Sequence, residues 1–207
     1  MILAIDTSLG SAVAVVDRDG TVRAEAHTDD RLGHAEVIGD LLVRVLQDAG
    51  DPGITHVAAG MGPGPFTGLR IGIAAARTFA LARGVEVVPV VSHDAIALGL
   101  LEADDDAEFA VATDARRREI AWTAYTGIDA DGLPVRHAEP ALVARAEAEI
   151  ALTGWIWGEA DQLDAGLLGR VAARAIAAGR IIGPDEPLYL RSPDVAAPKS
   201  VPPKDGA

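Results

Sequence analysis

The order of hydrophobic periods along the chain predicts a two-lobed α/β protein. Two observations carry that reading. Over residues 2–102 the period switches between 2 and 3.6 in the order βββαβαβα. From residue 108 the pattern restarts. In both halves an apolar strand delivers an aspartate, Asp6 or Asp114, into a strand–turn–strand. That is a weak internal symmetry of organisation, and it points to two related lobes.

The elements follow in order. Residues 2–6 read as a buried strand ending at Asp6-Thr7-Ser8, and 11–17 as a second. Asp19-Gly20 is a hairpin signal, with 21–27 alternating behind it. Three strands joined by tight turns make an antiparallel meander. From His34 to Ala49 apolar residues fall at Val37, Ile38, Leu41, Leu42, Val45 and Leu46, the spacing of an amphipathic helix, and Gly50 stops it. A strand at 55–60, a helix over 67–83 ending at Gly84, a strand at 85–91 and a helix over 93–102 complete the first half. Asp104-Asp105-Asp106 is a solvated boundary. The second half reads as strands at 108–113 and 119–126, a turn at Asp131-Gly132, a helical segment at 141–151, a strand at 153–158 and a helix over 160–178. The expected lobes are 1–103 and 104–191. Residues 192–207 hold four prolines and no period, and read as an extended or disordered tail.

Composition narrows the function. The 207 residues are 49% hydrophobic and 24% charged, a globular balance. The net charge is −13 and the pI about 4.7, so the chain alone repels a phosphate backbone. The absence of cysteine removes disulfides, thiolate nucleophiles and thiolate zinc sites, and fits a cytoplasmic protein. The apolar start breaks at Asp6 and has no basic flank, unlike a signal peptide. No uncharged apolar run reaches the ~18 residues of a membrane span.

Gly62-Pro63-Gly64-Pro65-Phe66-Thr67-Gly68 is the sharpest segment, a strand-to-helix connection. Gly62 and Gly64 permit unusual backbone angles, and Thr67 is placed to cap the helix. The loop is either a rigid turn or an anion site at a helix N-terminus. Pro63 and Pro65 weaken the second reading because neither has an N–H. It matches neither the P-loop nor the dinucleotide fingerprint. The next helix carries small residues four apart, Gly68, Gly72, Ala76 and Ala80. The stripe packs either on the chain's own sheet or on another helix. On the second reading, Gly72→Leu weakens association and leaves the lobe folded.

Asp6-Thr7-Ser8 is similar to the first phosphate loop of actin-like ATPases, with Asp114 as the mirror-lobe counterpart, but neither loop has a glycine nest. The two aspartates either brace strand ends or mark a vestigial nucleotide cleft formed by Asp6, Thr7, Ser8 and Asp114. No His pair has metal-ligand spacing. Ser92-His93-Asp94 cannot be a catalytic relay, because neighbouring side chains diverge, and Ser92 reads as a helix N-cap. Arg116-Arg117-Arg118 is a compact basic patch, either solvated or facing an acidic partner.

MILAIDTS at 1–8, GPGPFTGLRIG at 62–72, VVSHDAIA at 90–97, DARRREIAW at 114–122 and PLYLRSPDVA at 187–196 occur in the order seen in the TsaB (YeaZ) family, which the chain resembles over residues 1–196. The resemblance implies an actin-like ATPase (ASKHA, ribonuclease H-like) fold with duplicated strand–helix units. It implies a non-catalytic subunit with no cofactor and no metal. Its partner would be TsaD, the catalytic paralogue, as a heterodimer, with the ATPase TsaE reached through the complex. That machinery transfers threonylcarbamoyl to the adenosine beside the anticodon in tRNAs reading codons that begin with A. tRNA would be met only through the complex, no membrane is involved, and the chain alone would form a homodimer through an overlapping surface. The implied interface lies on the helices at 34–49 and 67–83, with His34, Val37, Ile38, Leu41, Thr67, Gly68, Arg70, Ile71, Gly72 and Ala75 as candidates. Pro65 departs from the family, which usually has serine there. The rival readings are an actin-like-fold ATPase or kinase using Asp6 and Asp114, a peptidase, and a homodimeric binding module.

Overall fold

The computed structural model describes residues 1–28, 33–51 and 53–191. The tail expected at 192–207 lies outside the described residues. The first sheet holds β1 (Ile2–Asp6), β2 (Ser11–Val16), β3 (Val22–Thr28), β4 (His56–Gly60) and β5 (Glu86–Val90), in the order β3-β2-β1-β4-β5. β1 pairs antiparallel with β2 and parallel with β4. The second sheet holds β6 (Glu108–Asp114), β7 (Glu119–Ile128), β8 (Pro134–Ala144) and β9 (Ile156–Ala160), in the order β8-β7-β6-β9. β6 pairs antiparallel with β7 and parallel with β9. The β3-β2-β1-β4 arrangement is therefore repeated as β8-β7-β6-β9. The duplicated α/β architecture read from the two aspartate-ended strands is the architecture found.

Strand alternation explains the layers. The side chains of Leu3, Ile5, Val13, Val15, Val57 and Ala59 share one core with α1 (His34–Asp48) and α2 (Phe66–Arg83). Their neighbours Ile2, Ala4, Ala12, Ala14, Val16 and Ala58 share the opposite core with α5 (Ala165–Ala178). Every residue of β1 and β2 is buried, as a sheet covered on both faces requires. α5 follows the second sheet in sequence, yet it packs on β1 and β2. Gly169 lets it approach, since a Cβ there would lie 2.5 Å from Val16 Cγ2.

α3 (Ser92–Leu101) lies between the sheets. Ala95 and Leu98 enter the core of the first, and Ala97 and Leu101 pack with Phe109, Val111 and Tyr125 of the second. Its apolar residues therefore serve two cores, and of the large ones Leu100 stays exposed, at 52%.

Four local expectations are corrected. β8 occupies 134–144, where a helical segment was expected from 141. Only a 3₁₀ turn, Arg145–Glu147, and α4 (Ala148–Ala151) are helical there. The last strand begins at Ile156 rather than 153. The final helix begins at Ala165, where the Asp164 side chain accepts from Leu167 N at 2.9 Å. Neither Thr67 nor Ser92 is a cap: α2 starts behind Pro65 and α3 behind Val91, with no side-chain cap on either.

Candidate functional site

Asp6 ends β1 and is fully enclosed. Its Oδ1 accepts from Ser8 N at 2.7 Å and Ser8 Oγ at 2.6 Å, and its Oδ2 accepts from Ser92 Oγ at 2.5 Å. Ser92 Oγ in turn accepts from Gly62 N at 3.0 Å. Burial pushes the Asp6 carboxyl above the usual carboxylate range, and the donors on Ser8 and Ser92 oppose that push. Gly60 makes room for the carboxylate: a Cβ there would lie 1.8 Å from Asp6 Oδ2. Both oxygens are committed inside the protein. Thr7 is committed likewise, its Oγ1 donating to Gly68 O at 2.7 Å.

A cleft of about 530 Å³ opens beside this brace, between the two sheets. One wall is Ser8, His34 and the 63–68 loop. The other is Thr113, Asp114, the Arg116–Arg117 turn, Ala121 and Leu142, with Tyr189, Leu190 and Arg191 alongside. The vestigial-cleft residues therefore separate: Ser8 and Asp114 line it, whereas Asp6 and Thr7 do not. Asp114 is 43% exposed and pairs with Arg145 at 3.0 Å. Arg116, Arg117 and Arg118 adopt φ of 61°, 52° and 63° in succession. Left-handed backbone costs a non-glycine residue about 1–3 kcal/mol, and this exposed turn places Arg116 and Arg117 in the lining of the cleft. At its rim Phe66 and Tyr189 rings meet at 4.6 Å, and Arg70 lies 3.8 Å over Phe66 while its Nε donates to Tyr189 OH at 3.1 Å.

The helices expected to carry the interface lie side by side on one face of the first sheet. Their candidate residues divide by burial. Ile38 and Leu41 belong to the core of that sheet, as the 3.6-residue period of α1 dictates. His34 is buried, with Nδ1 2.8 Å from Ser11 Oγ. Gly68 and Gly72 face the chain's own β1–β2 turn: a Cβ on Gly68 would meet Thr7 O at 2.7 Å, and one on Gly72 would meet Thr7 Oγ1 at 2.2 Å. Ala76 and Ala80 are buried in the same core. The small-residue stripe thus serves internal packing, and the expectation that Gly72→Leu leaves the lobe folded is corrected. A buried isoleucine or leucine contributes about 1.5–3 kcal/mol, too much to surrender to an external contact. Val37, Ile71 and Ala75 are half-buried, and Thr67 and Arg70 are exposed. The sequence reading missed Leu81, 84% exposed on α2, and Val43, 55% exposed on α1. Both lie opposite the buried stripes, so the same helical period could have found them.

Ser92-His93-Asp94 diverges as expected. Ser92 reaches Asp6. His93 lies between Thr123 Oγ1, 2.7 Å from its Nδ1, and Thr113 Oγ1, 3.0 Å from its Nε2, and burial pulls its pKa down to about 3. Asp94 accepts from Tyr125 OH at 2.8 Å and from Arg136 Nε and Nη2, each at 2.9 Å. Among the described residues no three His, Asp or Glu gather to hold a metal ion, and no helix is long and apolar enough to cross a membrane.

Comparison with known proteins adds identity to this geometry. Residues 29–147 match the family described as TsaD, tRNA N6-adenosine threonylcarbamoyltransferase. An uncharacterized protein of Mycobacterium bovis is 35% identical over 206 residues, covering 93% of this chain and 92% of its own. The tRNA threonylcarbamoyladenosine biosynthesis protein TsaB of Escherichia coli is 33% identical over 126 residues, 60% of this chain and 54% of that protein. The structure of YeaZ from Pseudomonas aeruginosa superposes with a TM-score of 0.76 at 22% identity, covering 91% of this chain and 99% of that one, which shows a shared fold. With the matching motifs and the repeated sheet, these relationships establish that the chain belongs to the TsaB/YeaZ family.

Proposed function

We propose that the chain is a non-catalytic partner subunit in the synthesis of threonylcarbamoyladenosine on tRNA. In this reading it binds TsaD and activates transfer of threonylcarbamoyl to the adenosine beside the anticodon in tRNAs reading codons that begin with A. TsaE joins through that complex, tRNA is met only there, and the setting is the cytoplasm. Without TsaD the chain self-associates through an overlapping surface.

The enclosure of Asp6 carries the reading. A metal- or phosphate-directed aspartate needs open lone pairs facing a cleft, whereas both oxygens of Asp6 are engaged by Ser8 and Ser92. The net charge of −13 also favours leaving tRNA contact to a partner. The name of the Escherichia coli relative and the TsaD family match supply the pathway.

The proposed interface is the outward surface of α1 and α2. Thr67, Arg70, Val43 and Leu81 form its exposed part, with Val37, Ile71 and Ala75 beside them. His34, Ile38, Leu41, Gly68 and Gly72 shape it from beneath. On this view the first lobe, residues 1–103, presents the partner surface. The second, from residue 104, returns α5 to cover the opposite face of the first sheet.

Sedimentation of the chain mixed with TsaD from the same organism tests the proposal. A heterodimer, with no ATP turnover by the chain alone, is the expected result. No association, together with ATP turnover abolished by Asp114→Asn, overturns it in favour of an ATPase.

A further inference from the structure

We propose that the first turn of α3 is an interlobe clasp that holds the two sheets at one fixed separation, so that the cleft keeps a single width. Three consecutive side chains reach both sheets. Ser92 engages the first, through Asp6 at the end of β1 and the Gly62 amide behind β4. His93 engages the second, through Thr113 on β6 and Thr123 on β7. Asp94 engages it again, through Tyr125 on β7 and Nε and Nη2 of Arg136 on β8. The roughly 100° step between neighbours on a helix lets one turn face three ways.

All three side chains are buried, with relative exposures of 0%, 1% and 3%. Relative movement of the sheets would therefore strip hydrogen bonds from buried polar groups, which is costly. The body of the helix reinforces the turn, with Ala95 and Leu98 in one core and Ala97 and Leu101 in the other. Gly99 brings α3 close to α5, since a Cβ there would lie 2.8 Å from Leu167 Cδ1. Two-lobed enzymes that close on a ligand need a joint that changes its backbone angles cheaply. Here the joint is a buried polar cluster whose three side chains all have hydrogen-bond partners. The clasp makes the chain a rigid body in any assembly it joins, and this inference stands independently of which partner it meets.

The absence of cysteine allows site-specific spin labels. One pair, Ala74→Cys on α2 and Glu147→Cys beside α4, spans the cleft from two exposed positions. A control pair, Ala74→Cys and Arg44→Cys, stays on the first sheet's helices. Pulsed electron paramagnetic resonance on the full chain should give one narrow distance across the cleft, unchanged by magnesium and ATP. Thr123→Val with Asp94→Asn should broaden that distance at least twofold and leave the control pair narrow. A broad, bimodal or nucleotide-shifted distance in the unmutated clasp would overturn the proposal, as would an unchanged distance in the folded double variant. If the double variant does not fold, the wild-type distance and its response to nucleotide decide alone.

Discussion

Ser92 Oγ donates to Asp6 Oδ2 at 2.5 Å across 86 residues of chain. The contact joins the start of α3 to the end of β1, and with Ser8 it closes the Asp6 carboxylate to any ligand. It turns a strand-end aspartate, similar in position to the phosphate-loop aspartate of actin-like ATPases, into a structural brace.

Removing the hydroxyl leaves two buried groups short of a partner, Asp6 Oδ2 and the Gly62 amide. An unsatisfied buried polar group costs about 1–3 kcal/mol, more when charged. Ser92→Ala should therefore lower unfolding stability by about 2–4 kcal/mol, read by urea denaturation. A loss under 0.5 kcal/mol, roughly the level of a surface substitution, would show that the brace is not structural.

Gly72 and Ala74 lie two residues apart on α2 and should respond differently. A Cβ at Gly72 would press on Thr7 Oγ1, and overpacking costs about 1–3 kcal/mol. Gly72→Ala should show that loss in denaturation, and Gly72→Leu should fail to fold. Ala74→Leu, on the exposed side, should stay within about 0.5 kcal/mol of wild type. Equal effects at both positions would contradict the assignment of the small-residue stripe to internal packing.

His93 makes stability depend on pH. Its folded pKa, pulled from 6.5 to about 3 by burial, keeps it neutral in the native state, while the unfolded chain binds a proton as pH falls through 6.5. Where the unfolded state binds more protons, stability rises with pH. The His93 contribution is thus fully present above pH 6.5 and is lost below it, by about 1.4 kcal/mol per unit. Asp6 and Asp94 act with the opposite sign. Burial raises both, so protonation of the native state offsets the loss as pH falls through their folded pKa values. Between pH 7.5 and 5.5, wild type should lose about 1.4 kcal/mol more stability than His93→Gln. Equal losses would place the His93 pKa near its ordinary value.

Leu81 is the surface residue that the partner reading uses most. A leucine 84% exposed adds nothing to the fold, and burying it against a partner is worth about 1.5–3 kcal/mol. Leu81→Gln should weaken association with TsaD at least about tenfold and leave the melting temperature unchanged, since glutamine is nearly as good a helix former. Unaltered affinity would move the interface off this face of α2.

β8 marks the limit of what the sequence makes legible. Pro134 and Pro140 argue against a strand, and the alanines of 141–151 suggest a helix. Among the described residues β8 pairs only with β7, and an edge strand tolerates proline because one row of its amides faces outward. The repeat held the missing signal. Asp19-Gly20 precedes β3, so Asp131-Gly132 should precede its counterpart. The family motifs and the α1 and α2 periods were readable because period reports the buried face directly. Ser92 was misread because its partner lies 86 residues away, and no local pattern distinguishes a cap from a long-range donor. The same distance hid the enclosure of Asp6 and the division of the cleft residues.

Reconstitution of the tRNA modification decides whether the chain is a required subunit. TsaD, TsaE, a threonylcarbamoyl donor, ATP and tRNA would be combined with and without this chain, and threonylcarbamoyladenosine measured by mass spectrometry. Product is expected only when the chain is present, and none from the chain without TsaD. The same yield with and without the chain would contradict it.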